Sequence, residues 1–274
     1  MIVRLLLPLL LGVSLAGAET PPSGAILNAA SLLPGALAPG TLAIVTGSDL
    51  SDSTEAAADS GEQPLPTKLG GVQVFFYGAA LPLLSVSPAQ VEFQLPYYAE
   101  HLSSGIIYVR TEHAGGRTTV SKGSLIEIEP AAPGLFAFGG PEPRAGLILH
   151  SQASTSTEAG APVTAANPAH TGETLVVWAT GLGKVEAGDT TGALKAGVPL
   201  AGPDAAVVNF TEAVIDGRSM PVTAAVLPQG AVGVYEVRIQ VPDDLPSDPK
   251  AQLSIVQNGY ASNTVVFPLQ NSNH

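Results

Sequence analysis

Apolar and polar residues alternate along much of this chain with a period of two. Val91, Phe93 and Leu95 alternate with Gln90, Glu92 and Gln94. Tyr235, Val237, Ile239 and Val241 alternate with Glu236, Arg238 and Gln240. This period puts one set of side chains on each face of a strand, so each run predicts a strand with one buried face and one face in water. Two further runs, Thr41 to Gly47 and Thr174 to Thr180, are rich in apolar and β-branched residues and bounded by turn residues. They read as buried strands. The same pattern predicts strands over 72–77, 81–87, 106–112, 118–129, 147–150, 206–210, 213–216, 222–227, 252–257 and 264–269. Ala114-Gly115-Gly116, Asp216-Gly217 and Asn258-Gly259 supply the tight turns.

The pattern occurs twice. Gly40-Thr41-Leu42 and Gly172-Glu173-Thr174 open equivalent strands, which end on Thr46-Gly47 and Thr180-Gly181. Phe93-Gln94-Leu95-Pro96 matches Ile239-Gln240-Val241-Pro242. About seven short strands per copy predict an all-β chain of two tandem immunoglobulin-like β-sandwich domains, an internal duplication. The predicted divisions are a signal peptide over 1–18, a first sandwich over 19–130, a partly packed Pro/Gly/Ser-rich linker over 131–171 and a second sandwich over 172–274. Leu135, Phe136 and Phe138 in that linker predict packing between the modules.

Composition sharpens this reading. Thirty glycines and 24 prolines punctuate the chain against long helices. The net charge of −12 excludes the basic footprint of a nucleic-acid binder. There are no cysteines, so neither disulfides nor thiolate zinc sites can hold the domains together. Arg4, the apolar run Leu5 to Ala16 and the small residues of Ala16-Gly17-Ala18 fit a cleaved export signal, with the mature chain beginning at Glu19. No other stretch has the ~18 apolar residues of a membrane span.

Candidate chemistry is sparse. The five histidines lack zinc spacing, and a surface position is the expectation for His101 and His113. No Gly-x-Ser-x-Gly elbow is present, so the expectation is a non-enzyme. The acidic stretch 48–68 offers Asp49, Asp52 and Glu55, with Asp59 and Glu62, as oxygen ligands for Ca²⁺, against the reading of a solvated loop. Tyr97 and Tyr98 follow Pro96 and are the candidate exposed aromatic patch for a ligand. Trp178 lies among apolar strand residues and is expected to pack in a core.

Several ordered motifs carry a resemblance. They are Leu27-Asn28-Ala29-Ala30-Ser31, Ala38-Pro39-Gly40, Leu69-Gly70-Gly71-Val72, Val86-Ser87-Pro88-Ala89-Gln90-Val91, Ala131 to Phe136, Asn167-Pro168-Ala169, Ala179 to Gly183 and Ser262 to Val265. Together they resemble the Solibacter-type uncharacterised C-terminal domain family of secreted bacterial proteins, over roughly residues 25–269. Each half also resembles the IPT/TIG type of immunoglobulin-like domain. The resemblance implies export and a β-rich fold and brings no catalytic residues. The expectation is a secreted or cell-surface module that binds a protein or a polysaccharide. The alternatives are a secreted hydrolase with loop-borne residues and a Ca²⁺-stabilised structural module.

Overall fold

The computed structural model describes residues 24–57, 63–152, 158–186 and 194–272. The expected signal peptide over 1–18, with Asp59 and Glu62, lies outside the described residues. The chain forms two β-sandwiches.

In the first, one sheet has neighbours in the order Ile26–Asn28, Leu42–Thr46, Gln90–Gln94, Leu83–Val86 and Glu55–Ala56. The opposing sheet runs Ser124–Glu127, Ser104–Glu112, Val72–Phe76 and Ala79–Ala80, with Thr118–Val120 also paired to Ser104–Glu112. The second sandwich repeats this plan. One sheet runs from Gly134–Leu135 through Thr174–Thr180, Tyr235–Gln240 and Val222–Leu227 to Ala205–Ala206, with Ile148–His150 also on Thr174–Thr180. The other runs Ala169–His170, Val265–Gln270, Asp248–Gln257, Thr211–Ile215 and Arg218–Met220, with Tyr260–Ala261 paired to Asp248–Gln257.

The period-two runs explain the cores. Val91 and Phe93 meet Val74, Phe76 and Ile107 inside the first sandwich. Tyr235, Val237 and Ile239 meet Leu175, Val177, Leu253 and Phe267 inside the second. Type I′ turns join short hairpins at the expected places, because Asp216-Gly217 and Asn258-Gly259 hold both central residues at positive φ. Tyr77-Gly78 does the same in the first sandwich, with Tyr77 at φ 49°.

Three expectations change. The stretch 131–171 is more than a linker: Gly134–Leu135 and Ile148–His150 hydrogen-bond to Thr174–Thr180, and Ala169–His170 runs parallel to Val265–Gln270. Ile148–His150 falls where the strand over 147–150 is expected, and the other two strands have two residues each, too short to show a period. The strand expected over 118–129 is broken into Thr118–Val120 and Ser124–Glu127, and the one expected over 206–210 is reduced to Ala205–Ala206. The polar face of Gln90–Gln94, expected in water, is covered: Glu92 is 5% and Gln94 1% exposed.

The cover is the second module. Leu42, Ile44 and Leu84 on the outer face of the first sandwich join Phe136, Leu147, Trp178 and Val234 in a third apolar cluster. Trp178 is therefore buried as expected, but it packs between the modules. Its neighbours Val177 and Ala179 point into the core of their own sandwich. Phe136 is buried in this cluster, Leu135 lies in the second core, and Phe138 remains partly exposed.

Candidate functional site

The junction is held by polar contacts as well as apolar packing. The Leu42 amide donates to Thr180 Oγ1 at 3.0 Å, and that hydroxyl donates to the Gly233 carbonyl at 2.6 Å. The Gly197 amide donates to Gln94 Oε1 at 2.6 Å. Asn28 accepts from the amides of Ala30 and Ser31 through Oδ1 and donates from Nδ2 to the Ala132 carbonyl at 3.1 Å. Asn263 clasps Leu135 in both directions, at 2.8 and 3.1 Å. Arg144 is buried and donates to the Ser31 carbonyl at 2.6 Å while pairing with Glu142 at 2.7 Å.

Glycines let the chains approach. A Cβ on Gly181 would lie 2.1 Å from the Ala132 carbonyl oxygen, and one on Gly183 would lie 2.1 Å from that of Pro130. Both have positive φ. The motifs around Asn28, Ala132, Thr180-Gly181 and Asn263 thus meet at one place, and each is accounted for by joining the strand 134–135 and the first module to the second.

Beside this junction opens a cleft of about 680 Å³. Pro39, Pro96, Tyr97 and Tyr98 wall it from the first module, and Lys184, Val185 and Leu194 from the second. Glu100 bridges the two sides by accepting Lys184 at 3.1 Å. Both expected ligand-binding tyrosines line this cleft, in different roles.

Tyr97 is a structural wall. Its ring fills the space over Gly40, where a Cβ would lie 2.4 Å from Tyr97 Cε1. Its hydroxyl lies 3.5 Å from Gln94 Nε2 and interacts with the hydroxyl of Tyr235 in the other module. Burial pushes the Tyr97 phenol up to about 12. Burial also drives Tyr235 well above its ordinary value, and its hydroxyl donates to the Gly183 carbonyl at 2.8 Å. Tyr98 is the exposed partner: it is 48% accessible, and its ring lies 6.2 Å from that of Phe76 at an angle of 30°. It presents an aromatic surface to the cleft.

The three carboxylates expected to bind Ca²⁺ do not gather as a set. Asp49 and Asp52 approach His113, with one ligand atom of each within 4.8 Å of the others. Glu55 sits outside that group on an edge strand and accepts from Ser53 Oγ at 2.6 Å. The group is tied by protein donors: Asp49 accepts from Arg117 at 2.9 Å, and Asp52 from the Ala114 amide at 2.6 Å. His113 joins Asp52 through Nδ1 at 2.6 Å and Thr119 Oγ1 through Nε2 at 2.8 Å. The bond to His113, then that to Ala114, lowers the Asp52 carboxyl from its ordinary range.

His113 is thus buried, contrary to the surface expectation. Its burial depends on a carboxylate 61 residues earlier, which local sequence does not reveal. Asp52, His113 and Thr119 form an acid–imidazole–hydroxyl chain. None of the three lines the cleft, and they tie the loop around residue 52 to the hairpin at 112–118. His150, also buried, joins Glu173 at 2.8 Å in the second module.

No family model and no curated protein matches the chain. Among solved structures it is similar to the fibronectin(III)-like modules of CbhA from Clostridium thermocellum, at 11% identity over 89% of this chain and 92% of that one, with a TM-score of 0.22. It is similar to the D00-D0 domain of intimin, at 13% identity over 89% and 98%, with a TM-score of 0.19. A Ca²⁺-stabilised adhesin with which an Antarctic bacterium binds ice matches at 9% identity over 92% of this chain and 45% of that one, with a TM-score of 0.21. Such scores carry no functional argument, and the architecture rests on the sheets themselves.

Proposed function

We propose that this chain is a secreted, non-catalytic binding module whose ligand seat is the cleft between its two sandwiches. The observation that carries this reading is the placement of Tyr98, an exposed aromatic on a cleft whose walls come from both modules. A rigid aromatic surface in an open groove suits the apolar face of a sugar ring or an extended peptide, and a polysaccharide is the ligand to test first. The resemblance to secreted Solibacter-type proteins supports export and a role at the cell envelope or outside the cell. A hydrolase would need a nucleophile beside a base in a cavity. His113 and Thr119, an imidazole–hydroxyl pair that the structure brings together, do not line the cleft.

The test is a polysaccharide array probed with residues 19–274, with and without Ca²⁺. The reading expects a Ca²⁺-independent glycan signal that Tyr98→Ala lowers at least tenfold with the melting temperature unchanged. A signal indifferent to Tyr98 overturns the cleft as the seat. Silence across the array, with capture of a cell-surface protein that also depends on Tyr98, makes the ligand a protein.

A further inference from the structure

The strand Gln90–Gln94 turns Val91 and Phe93 into the first core. Glu92 therefore points outward, toward the junction. It lies opposite Ile44 on one neighbouring strand and Ser85 on the other. Ile44 and Leu84, on those same two strands, belong to the apolar cluster completed by Trp178, Phe136 and Val234. The Ser85 hydroxyl, at 3.3 Å, is the one hydrogen-bond partner of the Glu92 carboxyl among the described residues. Among the described residues no cation offsets its burial: the influences on it are desolvation and then Ser85.

Charged and titratable groups elsewhere in the junction are already engaged. Lys184 and His101 pair with Glu100 and Arg144 with Glu142, Lys195 on the cleft is exposed, and Tyr97 and Tyr235 face each other and stay neutral to high pH. Its partners on the two flanking strands, Ile44 and Ser85, and the same-face residues of its own strand, Gln90 and Gln94, carry no charge.

The duplication supplies an internal comparison. Glu92 pairs with Ile44, and the equivalent pair in the second module is Arg238 with Val176. The Arg238 side chain is 43% exposed and bonds Glu236. The equivalent side chain of the second module thus reaches water, whereas Glu92 is buried on the face whose neighbours Ile44 and Leu84 join the junction cluster. We propose that Glu92 makes the docking of the two modules acid-favoured: the neutral carboxylic acid is retained in the apolar junction, and the carboxylate favours its opening.

Burial raises the Glu92 carboxyl from an ordinary 4.5 to about 7. The group holds its proton more tightly when docked, so its contribution to docking is complete below about 4.5. It declines as pH rises toward 7 and is flat above. The docking equilibrium should weaken on the order of a hundredfold across that window.

The experiment is calorimetric melting of the full chain from pH 5 to pH 8, wild type beside Glu92→Gln. Wild type is expected to lose thermal stability over this range and to begin to split into two transitions at the upper end. Glu92→Gln, neutral at every pH, is expected to have a flatter profile and a single transition at pH 8. Every other residue is common to both proteins, so the difference between the profiles isolates Glu92. Glu92→Leu serves the same comparison should the amide fold poorly. Parallel profiles for wild type and the neutral variant that folds would overturn the proposal.

Discussion

Gln94 and Gln240 occupy the same station in the two modules, and each donates its side-chain amide to the carbonyl of a positive-φ glycine. Gln94 reaches Gly40 at 3.1 Å and Gln240 reaches Gly172 at 2.8 Å. The second amide atom separates them. Gln240 Oε1 accepts from Thr174 Oγ1 at 2.9 Å, within its own module. Leu42 stands opposite Gln94 and has no hydroxyl, so Gln94 Oε1 accepts the Gly197 amide from the other module. One substitution in a duplicated motif has turned an internal brace into a link.

Gln94→Ala should therefore destabilise the chain more than Gln240→Ala. The first change strands the Gly40 carbonyl and the Gly197 amide in a buried site and should cost about 1–3 kcal/mol. The second acts on a partly exposed residue and should cost under about 1 kcal/mol. Urea unfolding of both variants checks the order, and equal losses would refute the assignment of Gln94 as an intermodule link.

Truncating the largest side chain of the junction should uncouple the sandwiches. Trp178→Ala leaves a cavity between them and should cost about 3–5 kcal/mol, with two calorimetric transitions in place of one. Trp178→Phe should be far milder, because the indole Nε1 has no partner to lose. Phe136→Asp places a charge in the same cluster and should separate the transitions as Trp178→Ala does. A single cooperative transition in Phe136→Asp would show that the modules do not depend on this contact.

Glycines at equal φ should differ in their tolerance. Gly217 has φ +80° with open space around its missing Cβ, so Gly217→Ala should cost only the backbone strain, about 1–2 kcal/mol. Gly181 has φ +78°, and its missing Cβ would meet the Ala132 carbonyl. Gly181→Ala adds a steric overlap to the same strain and should lower the melting temperature clearly further. Thermal melts of the pair make the comparison.

Alkali should loosen the junction through Tyr97. Its phenol is held above the ordinary 10, at about 12, so its contribution is whole below pH 10 and is lost as pH rises toward 12. Spectrophotometric titration should show late-ionising phenols in the native protein and one fewer in Tyr97→Phe. An unchanged late fraction would place the Tyr97 hydroxyl in water.

Much of the fold was written locally. Val91, Phe93 and Leu95 announce their strand by period, and Asp216-Gly217 announces its turn by φ preference. Gly40 and Gly172, with Gln94 and Gln240, announce the duplication. The junction was less legible. Glu92 and Gln94 read as a wet face because the module that covers them is specified elsewhere in the chain. Leu135 sits in a strand of two residues that gains its partner only from Thr174–Thr180. Of the candidate site, Tyr97 and Tyr98 were visible as aromatics after Pro96. Their division into a half-buried wall and an exposed face depends on Gly40 and Tyr235, both far from them in the sequence.

The chain contains one tryptophan, and it lies in the seam between the sandwiches rather than in either core. The native protein thus carries its own optical label at the place where its two halves meet. Opening the seam would wet the indole and move its emission to longer wavelength while both sandwiches stay folded. A dye-free titration can therefore follow the hinge separately from the fold.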